Sequence, residues 1–257
     1  MHEEQASISL KDVVQVIGVA YTYRPSLAVR HHFTKKISAH HSAKRGDFSY
    51  FYKGDSSSIV GNSQNLCLRI DPYTGELARH WPEPELAMYL GQGHDILAYT
   101  LANDLTAISV ERRGRTAHMD STSIAKLWAR SGSLGPRFVS APKIDSSNLM
   151  IGLRIERNGM TIYDYAYSTS RRLRSFLSIP NEITRCYNSY NDTRPPSKQI
   201  AMDDKGFLMQ GTVVMLGTGL IVSEQYYCQL GDSVTVYCPE IGELTNSIIS
   251  QEAAERV

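Results

Sequence analysis

Short apolar runs with strand-like alternation recur along most of the chain. Runs of β-branched and aromatic residues bounded by turn residues are typical of β-strands. The candidate strands are VVQVIGVAYTY (13–23), FSYFYKG (48–54), LCLRI (66–70), LAMYLG (86–91), ILAYTLAND (96–104), TAISVE (106–111), SNLMIGLRIERNGMTIYDYAY (147–167), VVMLGTGLIV (213–222) and DSVTVYC (232–238). Inside the run 147–167, Asn158-Gly159 predicts a tight hairpin, because this pair tolerates the positive φ that such turns need.

Helical patterns are few. SLAVRHHFTKK (26–36) and SRRLRSFLSI (170–179) are the candidates, and Pro180 is expected to end the second. YNSYNDTRPPSKQ (187–199) is rich in turn residues and predicts an exposed loop or lid. The pattern therefore predicts a β-dominated α+β chain, with an N-terminal section and lid over residues 1–60 and one compact unit over 61–257.

Composition narrows the class of protein. Apolar residues make up 42% of the 257 residues and the net charge is +1, so no global field attracts nucleic acid or an anionic membrane. No apolar run is long enough to span a bilayer, and the N-terminus lacks the pattern of a signal peptide. The four cysteines are scattered, which argues against a zinc site or a disulfide framework. A cytoplasmic enzyme or binding protein is predicted.

Two glutamates stand at the start of one predicted strand. Glu83 and Glu85 in WPEPELAMYLG (81–91) face the same side if the segment is extended, because strand side chains repeat with period 2. Asp104 ends the next strand, 19 residues after Glu85, as expected of a hairpin neighbour. Three carboxylates and water suit Mg²⁺ or Mn²⁺. The alternative is a solvated strand face, which is the commoner meaning of an E-x-E pair.

Two further segments carry candidate chemistry. Lys126 could bind a substrate carboxylate or stabilise an enolate near the metal, although most lysines are surface residues. Gly217-Thr218-Gly219 interrupts an apolar strand, where glycine often marks a bulge or the close approach of a ligand. The hydroxyl or amide of Thr218 could hold a substrate carboxylate, and the alternative is a purely structural bulge.

Taken in order, these segments resemble the fumarylacetoacetate hydrolase superfamily. The matching pieces are FYKGDSSSIVG (51–61), EPELAMYLG (83–91), AYTLANDLTA (98–107), AKLWARSGSLGP (125–136), GTVVMLGTGLIV (211–222) and QLGDSVTVYCPEIGELTNSI (229–248). YSTSRRLRSF (167–176) is similar to the S-T-S segment of the 2-keto-3-deoxy sugar-acid dehydratase branch. The resemblance covers nearly the whole chain, and the ordered set is more specific than any one motif.

The resemblance implies a mixed β-roll or sandwich with few helices, commonly a homodimer, that binds Mg²⁺ or alternatively Mn²⁺ or Ca²⁺. It implies Glu83, Glu85 and Asp104 as metal ligands, Lys126 beside the metal, and Thr218 as the group that binds the substrate carboxylate. Members hydrolyse C–C bonds of β-dicarbonyl acids, decarboxylate oxaloacetate-type acids or dehydrate 2-oxo acids.

The chain departs from the family pattern at the substrate end. Ile108 stands where an arginine is usual, Ile124 where the dehydratase branch commonly has glutamine, and Ala129 where an aspartate is frequent. Losing polar donors predicts apolar pocket walls at Ile108 and Ile124, beside Gly217 and Thr218. No glutamate lies between Tyr23 and Lys53, so His40 and His41 in this stretch are the candidate general bases. The alternative is that both are solvated loop residues.

Three functions stay open on these observations. The first is a metal-dependent hydrolase or lyase acting on a 2-oxo acid or β-dicarbonyl compound through a metal-chelated enolate, with Lys126 stabilising the charge. The second is an isomerase, dehydratase or cyclase acting on an apolar, polyketide-like dicarbonyl in a specialised biosynthetic pathway. The third is a family member that keeps the fold without catalysis. The sequence does not name the substrate.

Overall fold

In the computed structural model, the described residues are 8–20, 22–24, 49–116, 121–189 and 200–255. Strands dominate, which confirms the β-dominated α+β class. They are β1 (Gln15–Ala20), β2 (Ser49–Gly54), β3 (Ile59–Val60), β4 (Asn65–Leu68), β5 (His80–Trp81), β6 (Pro84–Leu90), β7 (Ile96–Asp104), β8 (Thr106–Ala107), β9 (Gly132–Ser140), β10 (Met150–Arg157), β11 (Met160–Ser168), β12 (Thr212–Met215), β13 (Ser233–Cys238) and β14 (Gly242–Ser250). The α-helices in these ranges are α1 (Ile108–Thr116), α2 (Ser121–Lys126), α3 (Ile179–Ser189) and α4 (Gln251–Ala254).

Two mixed sheets form the body of the protein. The large sheet has the strand order β2-β1-β12-β6-β7-β9-β3, and the small sheet has the order β11-β10-β13-β14-β4. β5 and β8 form a separate antiparallel pair. Antiparallel pairing dominates, and β1 with β12, β3 with β9 and β14 with β4 are parallel. The curled, strand-rich architecture is the mixed β-roll or sandwich that the sequence predicts.

Alternation along β6 distinguishes the two faces of the large sheet. Leu86 and Met88 belong to the main core, which also contains residues of the small sheet and therefore lies between the sheets. Ala87 and Tyr89 belong to a second apolar cluster on the opposite face. Glu85 has the same parity as Ala87, so its side chain projects on this second face, away from the small sheet.

The hairpin prediction is confirmed and two helix boundaries are corrected. Asn158 and Gly159 have φ values of 52° and 76° between β10 and β11. Of the predicted strand 106–111 only β8 is extended, because α1 begins at Ile108; short apolar runs do not distinguish strand from helix. The candidate helix 170–179 is wrong, because this segment contains only the short 3-10 turns Thr169–Arg171 and Phe176–Ser178. Pro180 lies in the first turn of α3, where its missing N–H has no cost.

Two predicted segments fall wholly or partly outside the described residues, and two observed strands were not predicted. The candidate helix 26–36 and most of the candidate loop 187–199 lie outside the described residues, and 187–189 belong to α3. β9 and β14 were not predicted, because Gly135 and Pro136 interrupt the first and a polar stretch opens the second. No helix in the described ranges is long and apolar enough to cross a membrane. The boundary near residue 60 stays a prediction.

We expect Asn246→Ala to lower the free energy of unfolding by about 2–3 kcal/mol. Asn246 is 1% exposed, and its amide donates to the carbonyls of Gly61 at 2.9 Å and Gln64 at 2.8 Å. Its Oδ1 accepts from the Ser133 hydroxyl at 2.7 Å, so one side chain ties β14 to β9 and to the β3–β4 connection. Urea unfolding measures the change, and the exposed Asn148→Ala serves as the matched control. Equal losses in the two variants would contradict the prediction.

Candidate metal centre

The three acidic side chains predicted as metal ligands meet at the start of β6. Glu83 and Asp104 exchange backbone hydrogen bonds of 3.2 and 3.0 Å, which places the two residues opposite each other. One carboxylate oxygen each from Glu83, Glu85 and Asp104 lies within 4.8 Å of the others. The residues are 5%, 2% and 1% exposed, so this acidic cluster is not a solvated strand face. The hairpin argument from the sequence is confirmed.

Two buried lysines contact the acidic cluster. Lys126, the last residue of α2, places its Nζ 2.7 Å from Glu83 Oε2 and 2.6 Å from Asp104 Oδ2. Lys53 of β2 places its Nζ 2.6 Å from Asp104 Oδ1 and donates to the carbonyl of Lys126 at 2.6 Å. Sequence reasoning missed Lys53. Its register was the available signal, because Lys53 shares a strand face with the buried Phe51.

Glu85 is held by backbone rather than by a cation. Its Oε2 accepts the Gly217 N–H at 2.7 Å, just beyond the end of β12. Gly217 has φ 80°, where a side chain would be strained. The predicted strand 213–222 is corrected, because it ends at Met215 and does not resume after the turn. The Thr218 hydroxyl accepts from Leu220 N–H at 3.1 Å within the same turn. Gly217 and Thr218 therefore lie beside the acidic cluster, and a contact with substrate stays a prediction.

The buried lysines offset the negative charge of Asp104 more fully than that of Glu85. Burial raises the pKa of Glu85 well above its ordinary value, and the charges of Asp104 and Glu83 raise it further. Burial also opposes ionisation of Asp104, but the Lys126 and Lys53 ammonium groups outweigh it and lower that pKa. Excess negative potential thus remains at Glu85. A divalent cation would relieve it, and buried carboxylate oxygens are the ligands that Mg²⁺ and Mn²⁺ prefer, so these residues fit such an ion.

Two aromatic residues support the ligands. Trp81 Nε1 donates to Glu83 Oε1 at 2.7 Å, and the Tyr167 hydroxyl donates to the carbonyl of Pro84 at 3.0 Å. Burial, with smaller contributions from Tyr23 and Glu85, raises the pKa of Tyr167 well above its ordinary value, so the phenol keeps its proton. Neither aromatic residue was predicted as part of the site. Trp81 directly precedes Pro-Glu-Pro-Glu in the sequence, whereas no local pattern indicates Tyr167.

The two isoleucines predicted as pocket walls, Ile108 and Ile124, pack against apolar residues. Ile108 is 3% exposed and packs in the main core. Ile124 is half-buried against a small cluster that includes Val110. Apolar walls around a substrate therefore stay a prediction, and Ile108 serves as core packing. The candidate bases His40 and His41 lie outside the described residues.

Comparison with known proteins gives a family match over most of the chain. Residues 15–249 match the family described as fumarylacetoacetate (FAA) hydrolase C-terminal. A probable 2-keto-3-deoxyxylonate dehydratase of Haloferax volcanii is 31% identical over 199 residues, covering 77% of this chain and 59% of that protein. A 2-dehydro-3-deoxy-D-arabinonate dehydratase of Saccharolobus solfataricus is 28% identical over 201 residues, covering 77% and 57%. The chain thus spans less than two thirds of the length of these relatives.

Solved structures with the same fold are also found. A 2-keto-3-deoxy-D-arabinonate dehydratase complexed with magnesium and 2,5-dioxopentanoate superposes with a TM-score of 0.72 at 20% identity, covering 93% of this chain and 74% of the other. A fumarylpyruvate hydrolase from Pseudomonas aeruginosa, in complex with Mn²⁺ and pyruvate, gives a TM-score of 0.68 at 17% identity, covering 98% and 94%. At these identities the likeness shows the fold alone.

Proposed function

Because the chain belongs to the fumarylacetoacetate hydrolase C-terminal family, we propose that it is a divalent-metal-dependent lyase that dehydrates a small 2-oxo acid. The observation that carries the proposal is the buried acidic cluster, with ligand oxygens within 4.8 Å of one another and the Lys126 ammonium against two of them. The names of the two curated relatives, both dehydratases of 2-keto-3-deoxy sugar acids, support dehydration over hydrolysis.

Each residue has a role that follows from its chemistry. Glu83, Glu85 and Asp104 would hold Mg²⁺, with Mn²⁺ or Ca²⁺ as alternatives. A divalent ion there supplies positive charge to the oxygens of a 2-oxo acid. Lys126 adds a second positive charge, in a water-poor setting where charge develops on the substrate.

The remaining roles belong to the Gly217-Thr218 turn and to the histidines of the predicted lid. The Gly217-Thr218 turn, whose Gly217 N–H donates to Glu85, would bind the substrate carboxylate through the hydroxyl or amide of Thr218. His40 or His41 would move the proton, which requires the lid to bring one of them to the substrate. A homodimer, which the family resemblance implies, belongs to this proposal as well.

Two alternatives keep the same metal site. Hydrolysis of a C–C bond is supported by the solved fumarylpyruvate hydrolase of the same fold. Isomerisation or cyclisation of an apolar, polyketide-like dicarbonyl rested on Ile108 and Ile124, and the buried position of Ile108 gives it no support. A non-catalytic role would leave the buried acidic cluster and its two lysines without a chemical purpose.

The mass of the product distinguishes these reactions. We expect the purified protein with Mg²⁺ to convert a 2-keto-3-deoxy pentonate into a product lighter by one water, and we expect excess EDTA to abolish the reaction and Mg²⁺ to restore it. Hydrolysis would instead yield fragments whose summed mass exceeds that of the substrate by one water. Turnover that persists in EDTA would contradict a metal-dependent mechanism of any kind.

A further inference from the structure

Tyr167 reaches from the small sheet to the metal centre of the large one. It lies near the end of β11, an edge strand of the small sheet, and is 5% exposed. Its hydroxyl is 3.0 Å from the carbonyl oxygen of Pro84 and 3.4 Å from that of Gly217. Pro84 separates the metal-ligand candidates Glu83 and Glu85. One hydroxyl therefore contacts the backbone of both segments that determine where Glu85 lies.

This contact lies just beyond the end of the hydrogen-bonded pairing between β6 and β12. β12 pairs with β6 through Met215 and Ala87, followed by a hydrogen bond of 2.9 Å from Leu216 N–H to the Leu86 carbonyl. Beyond that bond, the described links between the two segments are the Gly217 N–H to the Glu85 carboxylate and the shared Tyr167 hydroxyl. The separation of Pro84 and Gly217 thus depends on side chains.

Gly219 explains the second glycine of the Gly-Thr-Gly turn. A Cβ atom at this position would lie 2.3 Å from Cδ2 of the Tyr167 ring, a distance that non-bonded atoms do not tolerate. The absence of a side chain at Gly219 therefore lets the ring pack directly against the turn. Tyr23 packs edge-on against the same ring, with 5.0 Å between ring centroids, and closes its other side.

We propose that Tyr167 is a positioning residue of the metal centre: its hydroxyl joins the Glu83–Glu85 backbone to the Gly217–Gly219 turn and sets the distance between the metal ligand Glu85 and Thr218. The inference rests on the proposed function, because it takes the acidic cluster as the metal site. The Tyr167 hydroxyl contacts two backbone carbonyls, so Tyr167 acts through the backbone. Supporting groups of this kind typically change metal affinity by about 10–100-fold when removed.

The test is Mn²⁺ binding to the full chain, followed by electron paramagnetic resonance, in Tyr167→Phe and in the matched control Tyr163→Phe. Tyr163 lies on the same strand and is also buried, and both changes remove only a hydroxyl. We expect Tyr167→Phe to raise the Kd for Mn²⁺ about tenfold or more, and Tyr163→Phe to leave it within about twofold of the wild type. Thermal unfolding reports any loss of stability separately.

Gly219→Ala provides a second variant, because its Cβ would displace the Tyr167 ring and move the hydroxyl without removing it. We expect the Kd for Mn²⁺ to rise in this variant too. The inference is overturned if Tyr167→Phe binds Mn²⁺ as the wild type does, whatever happens to the unfolding temperature. If the wild type itself binds no Mn²⁺, the proposed function fails, and this inference fails with it.

Discussion

Glu85→Gln should abolish tight binding of the divalent ion and, with it, turnover. The substitution keeps the size of the side chain and leaves an amide oxygen that can accept the Gly217 N–H, so the turn retains its hydrogen bond. It removes the negative charge of the carboxylate that accepts the Gly217 N–H, and with it one of the three charged groups proposed to hold the ion. Because carboxylates are the main protein ligands of Mg²⁺ and an amide oxygen carries no charge, we expect ion affinity and turnover each to fall at least about 100-fold.

The raised pKa of Glu85 leads to a second prediction, which concerns the stability of the metal-free protein. Burial and the neighbouring carboxylates raise that pKa, so without metal the folded protein retains a proton that the unfolded chain releases. Stability of the metal-free wild type is therefore lost as the pH rises from the ordinary glutamate range through the raised pKa. Glutamine stays neutral, and we expect metal-free Glu85→Gln to be at least as stable as metal-free wild type at alkaline pH.

Thermal unfolding with and without Mg²⁺ tests both predictions. An ion present at about a hundredfold above its Kd should stabilise the wild type by about 2.7 kcal/mol and the variant by almost nothing. Glu76→Gln, on the exposed surface, is the control and should respond to Mg²⁺ as the wild type does. An undiminished Mg²⁺-dependent shift in Glu85→Gln would show that the ion binds elsewhere.

The acidic cluster could be predicted because it depends on local rules. Period-2 alternation places Glu83 and Glu85 on one face, and a short hairpin brings Asp104 beside them; the observed pairing of Pro84 with Asn103 is the register that this requires. Both rules act within a stretch of about two dozen residues, so they hold whatever the rest of the chain does. The family resemblance then distinguished a metal site from a solvated face.

Lys53 and Tyr167 could not be predicted in the same way. Each reaches the site from a strand distant in sequence, Lys53 from β2 in the large sheet and Tyr167 from β11 in the small one. Their contacts depend on which strands become neighbours and how the two sheets pack, and no local pattern specifies either. A lysine in a strand is most often a surface residue. The sequence therefore does not indicate that Lys53 is buried beside Asp104 and the carbonyls of Leu105 and Lys126.

The errors at α1 and α3 have a different physical origin. Val110 and Ile108 are β-branched, which favours a strand locally, yet both are buried on a helix. Tertiary packing of an apolar face outweighs a propensity difference of a few tenths of a kcal/mol per residue. At Pro180 the local rule was sound but was applied to the wrong end, since proline stops a helix only from within and suits its first turn.

Lys126→Met should lower turnover at least about 100-fold while leaving ion binding intact or tighter. Methionine keeps the unbranched stem and removes the ammonium that lies 2.7 Å from Glu83 and 2.6 Å from Asp104. That ammonium repels a divalent ion bound to the same carboxylates, so its loss should not weaken the ion. Its loss does remove the positive charge available to the substrate, and removing one such group typically costs about 10²–10³ in kcat.

The measurement pairs kcat, on the 2-oxo acid identified by product mass, with the Kd for Mn²⁺. The exposed Lys205→Met controls for the loss of one positive charge and should change neither. Glu85→Gln should lose both the ion and turnover, whereas Lys126→Met should keep the ion and lose turnover. Together the two variants distinguish residues that hold the metal from residues that act on the substrate. If Lys126→Met loses Mn²⁺ and kcat in parallel, then Lys126 builds the metal centre rather than serving the reaction.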